Sequence, residues 1–96
     1  MAKKEGKTDF ENETQQNLMK IVEFLAADVF KVTTLKEIMD ALELTQSKAY
    51  WALKNLVIRG WVDEQGDGWR LSPRIVKIAD SVRANLGNTV RRYLSE

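Results

Sequence analysis

The sequence predicts one mainly α-helical domain carrying a small β-hairpin, and three observations carry that expectation. Four stretches repeat apolar residues at the 3.6-residue period of an amphipathic helix. Three of them open on helix-starting chemistry: Thr34, Thr45 and the pair Ser72-Pro73. Two short β-prone runs flank Gly66-Asp67-Gly68, whose glycines can take positive φ. At 96 residues the chain has the size of one ordinary domain and is too short for two.

Residues 1–13 are polar and charged with one aromatic, Phe10, and read as a flexible N-terminal arm. From Asn12 to Asp28 the spacing of Leu18, Ile21, Val22, Leu25 and Val29 predicts a helix with one apolar face, from which Phe24 lies off. Phe30-Lys31-Val32-Thr33 mixes aromatic and β-branched residues between two helical patterns, which predicts a very short strand or extended linker with Val32 inward.

Thr34-Leu35-Lys36-Glu37 is a capping box: the threonine hydroxyl and the glutamate carboxylate each satisfy a backbone amide at a helix start. Leu35, Ile38, Met39 and Leu42 then form a buried stripe. After the tight connection Glu43-Leu44, Thr45 offers an N-cap for a helix through Arg59, with Gly60 suited to the left-handed position beyond its end. Those two helices form a helix-turn-helix candidate. On the second, Ala49, Leu53 and Leu56 make the inward seam, flanked by Ala52 and Val57. The outer face carries Ser47, Trp51, Lys54 and Ile58, with Tyr50, Lys48 and Asn55 at its edges.

Trp61 to Gln65 and Trp69 to Leu71 are the arms of the hairpin. Ser72 caps a last helix with proline in its first position, and Ile75, Ile78, Ala79, Val82 and Leu86 repeat at helical spacing. Gly87-Asn88 weakens or ends that helix, leaving Val90, Tyr93 and Leu94 as a short amphipathic tail beside Arg91 and Arg92. The boundaries expected are therefore an arm over 1–13, a core over 14–72 and a C-terminal helical element over 73–96.

The balance of 44% hydrophobic and 30% charged residues is that of a folded globular chain. No apolar run approaches the roughly 20 residues of a membrane span, and Lys3-Lys4 is not followed by the apolar stretch of a signal peptide, so a cytoplasmic location is expected. With no cysteine and no histidine the chain has no thiolate and lacks the commonest metal ligand and general base, which argues against catalysis, and no cofactor is implied. Asp63-Glu64 pairs two carboxylates without an accompanying nucleophile or base and reads as a solvated turn. Net charge is only +1, but residues 70–96 hold six basic and two acidic groups, so the basic excess is C-terminal.

Helix, short strand, helix, helix and hairpin occur in the order of a winged helix-turn-helix domain. Residues 17–79 resemble the N-terminal DNA-binding domain of IclR-type transcriptional regulators. The resemblance is carried by Thr34-Leu35-Lys36-Glu37-Ile38, by Leu42 through Tyr50, by Leu53, Leu56 and Arg59-Gly60-Trp61-Val62, and by Gly68-Trp69-Arg70-Leu71-Ser72-Pro73-Arg74. Two departures reduce the positive charge facing phosphates: Trp51 stands where such regulators usually place arginine, and Gln46 where they often have lysine. The ligand-sensing domain that follows in typical members has no counterpart in these 96 residues, so no small-molecule effector is implied.

What the resemblance implies is a double-stranded DNA-binding transcriptional regulator of prokaryotic, phage or mobile-element type, with helix 45–59 in the major groove. Gln46, Ser47, Lys48, Tyr50, Trp51, Lys54 and Asn55 would then meet base edges and phosphates. In the wing, Gln65, Asp67 and Arg70 would reach flanking DNA, against the repulsion of Asp63, Glu64 and Asp67 for phosphate. Trp61 and Trp69 read as hairpin and core aromatics. Val82, Leu86, Val90, Tyr93, Leu94 and the off-face Phe24 offer apolar area for a homodimer through the C-terminal helix. Two other readings keep the fold: a protein–protein interaction module using the aromatic helix face, and a non-specific architectural DNA binder.

Overall fold

A computed structural model describes residues 10–87 together with Thr89 and Leu94. Helix α1 spans Glu13–Ala26, strand β1 Thr33–Thr34, helix α2 Leu35–Leu42, helix α3 Gln46–Arg59, strand β2 Val62–Gln65, strand β3 Gly68–Leu71 and helix α4 Pro73–Gly87. The three strands form one antiparallel sheet in the order β1-β3-β2. This is a mainly helical fold with a small hairpin, in the winged helix-turn-helix arrangement.

Local chemistry sets the helix ends. Asn12 caps α1, its side-chain oxygen accepting from the Gln15 amide at 3.1 Å. The helix stops at Ala26, short of the expected Asp28, because Asp28 turns the chain: its carboxylate accepts from the Phe30 amide at 3.3 Å and its carbonyl from the Lys31 amide at 3.1 Å. Val29, expected on the buried face, is therefore past the helix and exposed, whereas the off-face Phe24 is half-buried and packs on the core. Phe24 thus packs against the domain's own core.

The capping box of α2 is fully formed. Thr34 Oγ1 accepts from the Glu37 amide at 3.2 Å, and Glu37 accepts in return from the Thr34 amide at 2.9 Å. Glu43 ends α2 in the left-handed region at φ 56°. Thr45 caps α3 through the Lys48 amide at 3.2 Å. At the other end Gly60, at φ 83°, donates to Val57 O and Trp61 donates to Leu56 O, both at 2.9 Å, the paired closure of a Schellman turn. Rigid ends fix the direction in which α3 presents its outer face.

Of the expected strand only Thr33 pairs, opposite Trp69, and it is joined by the cap residue Thr34, opposite Gly68; Phe30 and Lys31 remain outside the sheet and exposed. Gly68 is a strand residue and not, as its sequence neighbours suggested, part of a three-residue connection: Gln65 pairs with Gly68 across the two-residue turn Gly66-Asp67. A Cβ at Gly68 would lie 2.6 Å from both Thr33 O and Val32 Cγ1, so glycine is what lets β1 lie directly against β3.

Ile21, Ile38, Leu53 and Val62, one from each of α1, α2, α3 and β2, are completely enclosed, and Leu25, Leu56, Trp69 and Leu71 complete the interior. Each such side chain contributes roughly 1.5–3 kcal/mol, against about 0–1 kcal/mol for exposed ion pairs such as Lys36–Asp40. Burial therefore decides the fold. Helix α4 departs from it: Ile75 packs on the core, but no residue of α4 is buried, and Val76, Ile78 and Val82 are exposed. Residues 1–9 of the expected arm, and Asn88, Val90, Arg91, Arg92 and Tyr93 of the expected tail, lie outside the described residues.

Candidate nucleic-acid interface

Because Ala49, Ala52, Leu53 and Leu56 face the core, the opposite side of α3 is turned to solvent, and it is apolar at its centre. Trp51 is 61% exposed and Ile58 80%. Tyr50 and Trp51 meet edge to face with ring centroids 5.6 Å apart at 71°. The Lys54 ammonium sits 5.7 Å from the Tyr50 ring centroid, a cation–π contact at an exposed site. Gln46 and Ser47, in the first turn, are exposed beside them.

The remaining expected contact residues are partly engaged. Asn55 turns its amide back on the helix, Nδ2 donating to Trp51 O at 2.8 Å. Lys48 pairs with Glu13 at the start of α1, Nζ to Oε2 at 2.9 Å. Its positive charge is thereby offset on the face expected to meet phosphate. Arg70 stands apart from the α3 group: on β3 it lies opposite Asp63, and it lines a groove of about 460 Å³ with Phe30, Ile75 and Val76. The structure thus gathers Gln46, Ser47, Lys48, Tyr50, Trp51, Lys54 and Asn55 on one helix and leaves Arg70 on another surface. Gln65 and Asp67 are exposed at the wing tip, while Trp69 is buried and Trp61 half-buried against the core.

Sequence reasoning missed the contribution of α1. Glu13, Thr14 and Asn17 face Ser47, Lys48, Trp51 and Asn55 across a cavity of about 220 Å³. A signal was present: Asn17 precedes Ile21 by four residues and Leu25 by eight, so it occupies the same inward stripe. Its polarity hid it, since polar residues are mostly exposed.

Among the described residues no group of three or more acidic side chains is placed to hold a metal ion, and no helix is long and apolar enough to cross a membrane. The Glu37 carboxylate is held below its ordinary range, first by the Thr34 amide and then by Lys31, whose ammonium lies 3.1 Å away. It belongs to the α2 cap and not to the α3 face.

Fold and site together define a winged helix-turn-helix domain whose presenting helix is aromatic and weakly cationic. No family model matches the chain, and no curated protein matches it in sequence.

Proposed function

We propose that the chain is a sequence-reading, double-stranded DNA-binding transcriptional regulator of IclR-like type, with α3 entering the major groove. The observation that supports this most is the concentration of Ser47, Tyr50, Trp51 and Lys54 on the solvent side of a helix capped at both ends. A hydroxyl reads base edges, aromatic and methylene surface contacts thymine methyls, and lysine meets guanine or phosphate. Exposing Trp51 beside Ile58 is unfavourable in water and calls for something to cover them.

The proposal extends to assembly. On α4, Ile78, Val82 and Leu86 recur at four-residue spacing, none of them buried, and a second copy in two-fold symmetry covers such a stripe. A symmetric pair places two α3 helices on two half-sites about one helical turn, roughly 34–36 Å, apart.

Selection from a pool of random duplexes at near-physiological salt tests the reading. Enrichment of a two-fold symmetric motif supports a dimeric regulator. Uniform weak retention that vanishes with added salt indicates architectural binding, because that mode is almost wholly counterion release. Absence of retention favours the protein-interaction reading, for which Ile58 and the Glu13–Lys48 pair are the supporting observations, since both lower the affinity of this face for phosphate.

A further inference from the structure

The cavity between α1 and α3 is lined by a polar side chain that turns its amide to the cavity and not to a protein partner. Asn17 is 3% exposed, lines the cavity, and its amide makes no hydrogen bond among the described residues. Among the described residues no fully enclosed side-chain nitrogen or oxygen lacks a partner, so the polar atoms of Asn17 keep their access through the cavity. An amide whose polar atoms open onto a cavity can bond what enters it. Ile21 and Leu25 fill the rest of the inward stripe with apolar side chains, whereas Asn17 puts an amide there.

What surrounds Asn17 narrows the ligand. Trp51 provides an aromatic wall, Ser47 a hydroxyl, and Asn55 an amide oxygen left over after its nitrogen has bonded Trp51 O. At about 220 Å³ the space is below the roughly 300–1,000 Å³ of pockets that take drug-sized ligands, so one or two small rings fit. An amide presents a donor and an acceptor side by side, the complement of the donor–acceptor edge of a heterocyclic base, and an indole is a surface on which such a base stacks.

We infer that the α1–α3 cavity is a site for a single nucleobase, hydrogen-bonded to Asn17 and stacked on Trp51. This goes beyond duplex recognition by the outer face of α3, and stands even if duplex selection enriches nothing. The base comes either from a free nucleoside or from an unstacked position in a strand; the chemistry of recognition is the same.

The test is a titration of the full chain with adenosine, followed through the side-chain amide signal of Asn17 and the indole N–H signals of the three tryptophans in proton–nitrogen correlation spectra. The signals of Asn17 and Trp51 are expected to move together while those of Trp61 and Trp69 stay still. Purine riboside, which stacks but lacks the exocyclic amine, is expected to bind about tenfold more weakly. Asn17→Leu is expected to abolish the Trp51 shift while the circular dichroism spectrum and melting temperature stay close to the parent's, a combination that a merely structural residue does not give. A strand carrying one adenine among abasic positions separates the sources: saturation at lower concentration than adenosine assigns the site to a base in a strand, and no gain assigns it to the free nucleoside. Unmoved Asn17 and Trp51 signals with both ligands, or shifts that persist in Asn17→Leu, overturn the assignment.

Discussion

Replacing Gly68 by alanine puts a methyl group where the backbone of another strand already lies. Its Cβ would stand 2.6 Å from Thr33 O and 2.6 Å from Val32 Cγ1. The first is backbone and cannot swing aside, since Thr33 is buried and paired in the sheet opposite Trp69, and the second is a methyl of a β-branched side chain that is stiff at χ1. Relief requires β1 to move away from β3, an overpacking cost of about 1–3 kcal/mol. Alanine returns about 0.4–1 kcal/mol by restricting the unfolded chain, so the net destabilisation is about 1–2 kcal/mol. For a domain of this size that lowers the melting temperature by roughly 4–15 °C. Thermal and urea unfolding followed by circular dichroism measure it, with the urea slope unchanged if two-state behaviour is kept. Gly66→Asn is the control: at φ 57° with open space around it, asparagine tolerates the left-handed turn and stability changes little. A Gly68→Ala protein as stable as the parent would refute the account of how β1 is seated.

Four further outcomes are expected. Thr34→Ala removes half of the α2 capping box and costs about 1 kcal/mol in urea unfolding. Because the Thr34 amide and Lys31 hold Glu37 below its ordinary value of 4.5, its contribution is present above that value and is lost as pH falls through the lower folded one. Glu37→Gln is therefore less stable than the parent at neutral pH, and the gap narrows on acidification below about 4.5 in a urea-midpoint series. Ser47→Ala and Lys54→Ala weaken duplex binding, by about 1–3 kcal/mol where a base contact is lost, while leaving the melting temperature within the roughly 0.5 kcal/mol of ordinary surface substitutions; equal affinity in both would remove α3 from the interface. Val82→Glu, on an exposed face of α4, turns a dimer into a monomer in sedimentation equilibrium without lowering domain stability.

Much of the fold was legible because its signals are local. Thr34 with Glu37, Thr45 and Gly60 act within a turn of their own position, and each took the conformation its chemistry requires. Legibility failed where a distant strand or helix decides. Phe30-Lys31-Val32-Thr33 has strand character throughout, but pairing extends only as far as β3 offers partners. Gly68 looked like turn glycine because Gly66 and Asp67 precede it, while its role comes from Thr33, thirty-five positions earlier. On the candidate site, helical periodicity put the α3 residues on one face but said nothing of Glu13 meeting Lys48 or of Asn17 facing Trp51 across the cavity. Those pairings depend on how α1 crosses α3, which no single-helix pattern encodes.

Ser72 ties three elements at one point. Its amide donates to Trp61 O at 3.0 Å, its hydroxyl donates to Gly60 O, and the same oxygen accepts from the Arg74 amide at 3.2 Å. The end of α3, the start of β2 and the first turn of α4 are thus geared together, and the 15 residues of α4 become a lever about 22 Å long. In a pair joined along α4, this lever is a ruler: its pitch sets the phase between the two α3 helices. One residue inserted after Lys77 turns the stripe of Ile78, Val82 and Leu86 by about 100° against the core, and seven, close to two full turns, bring it back into register. Spacing preference on DNA would then follow insertion length with the period of a helix, so the protein would measure distance with an element that touches no base.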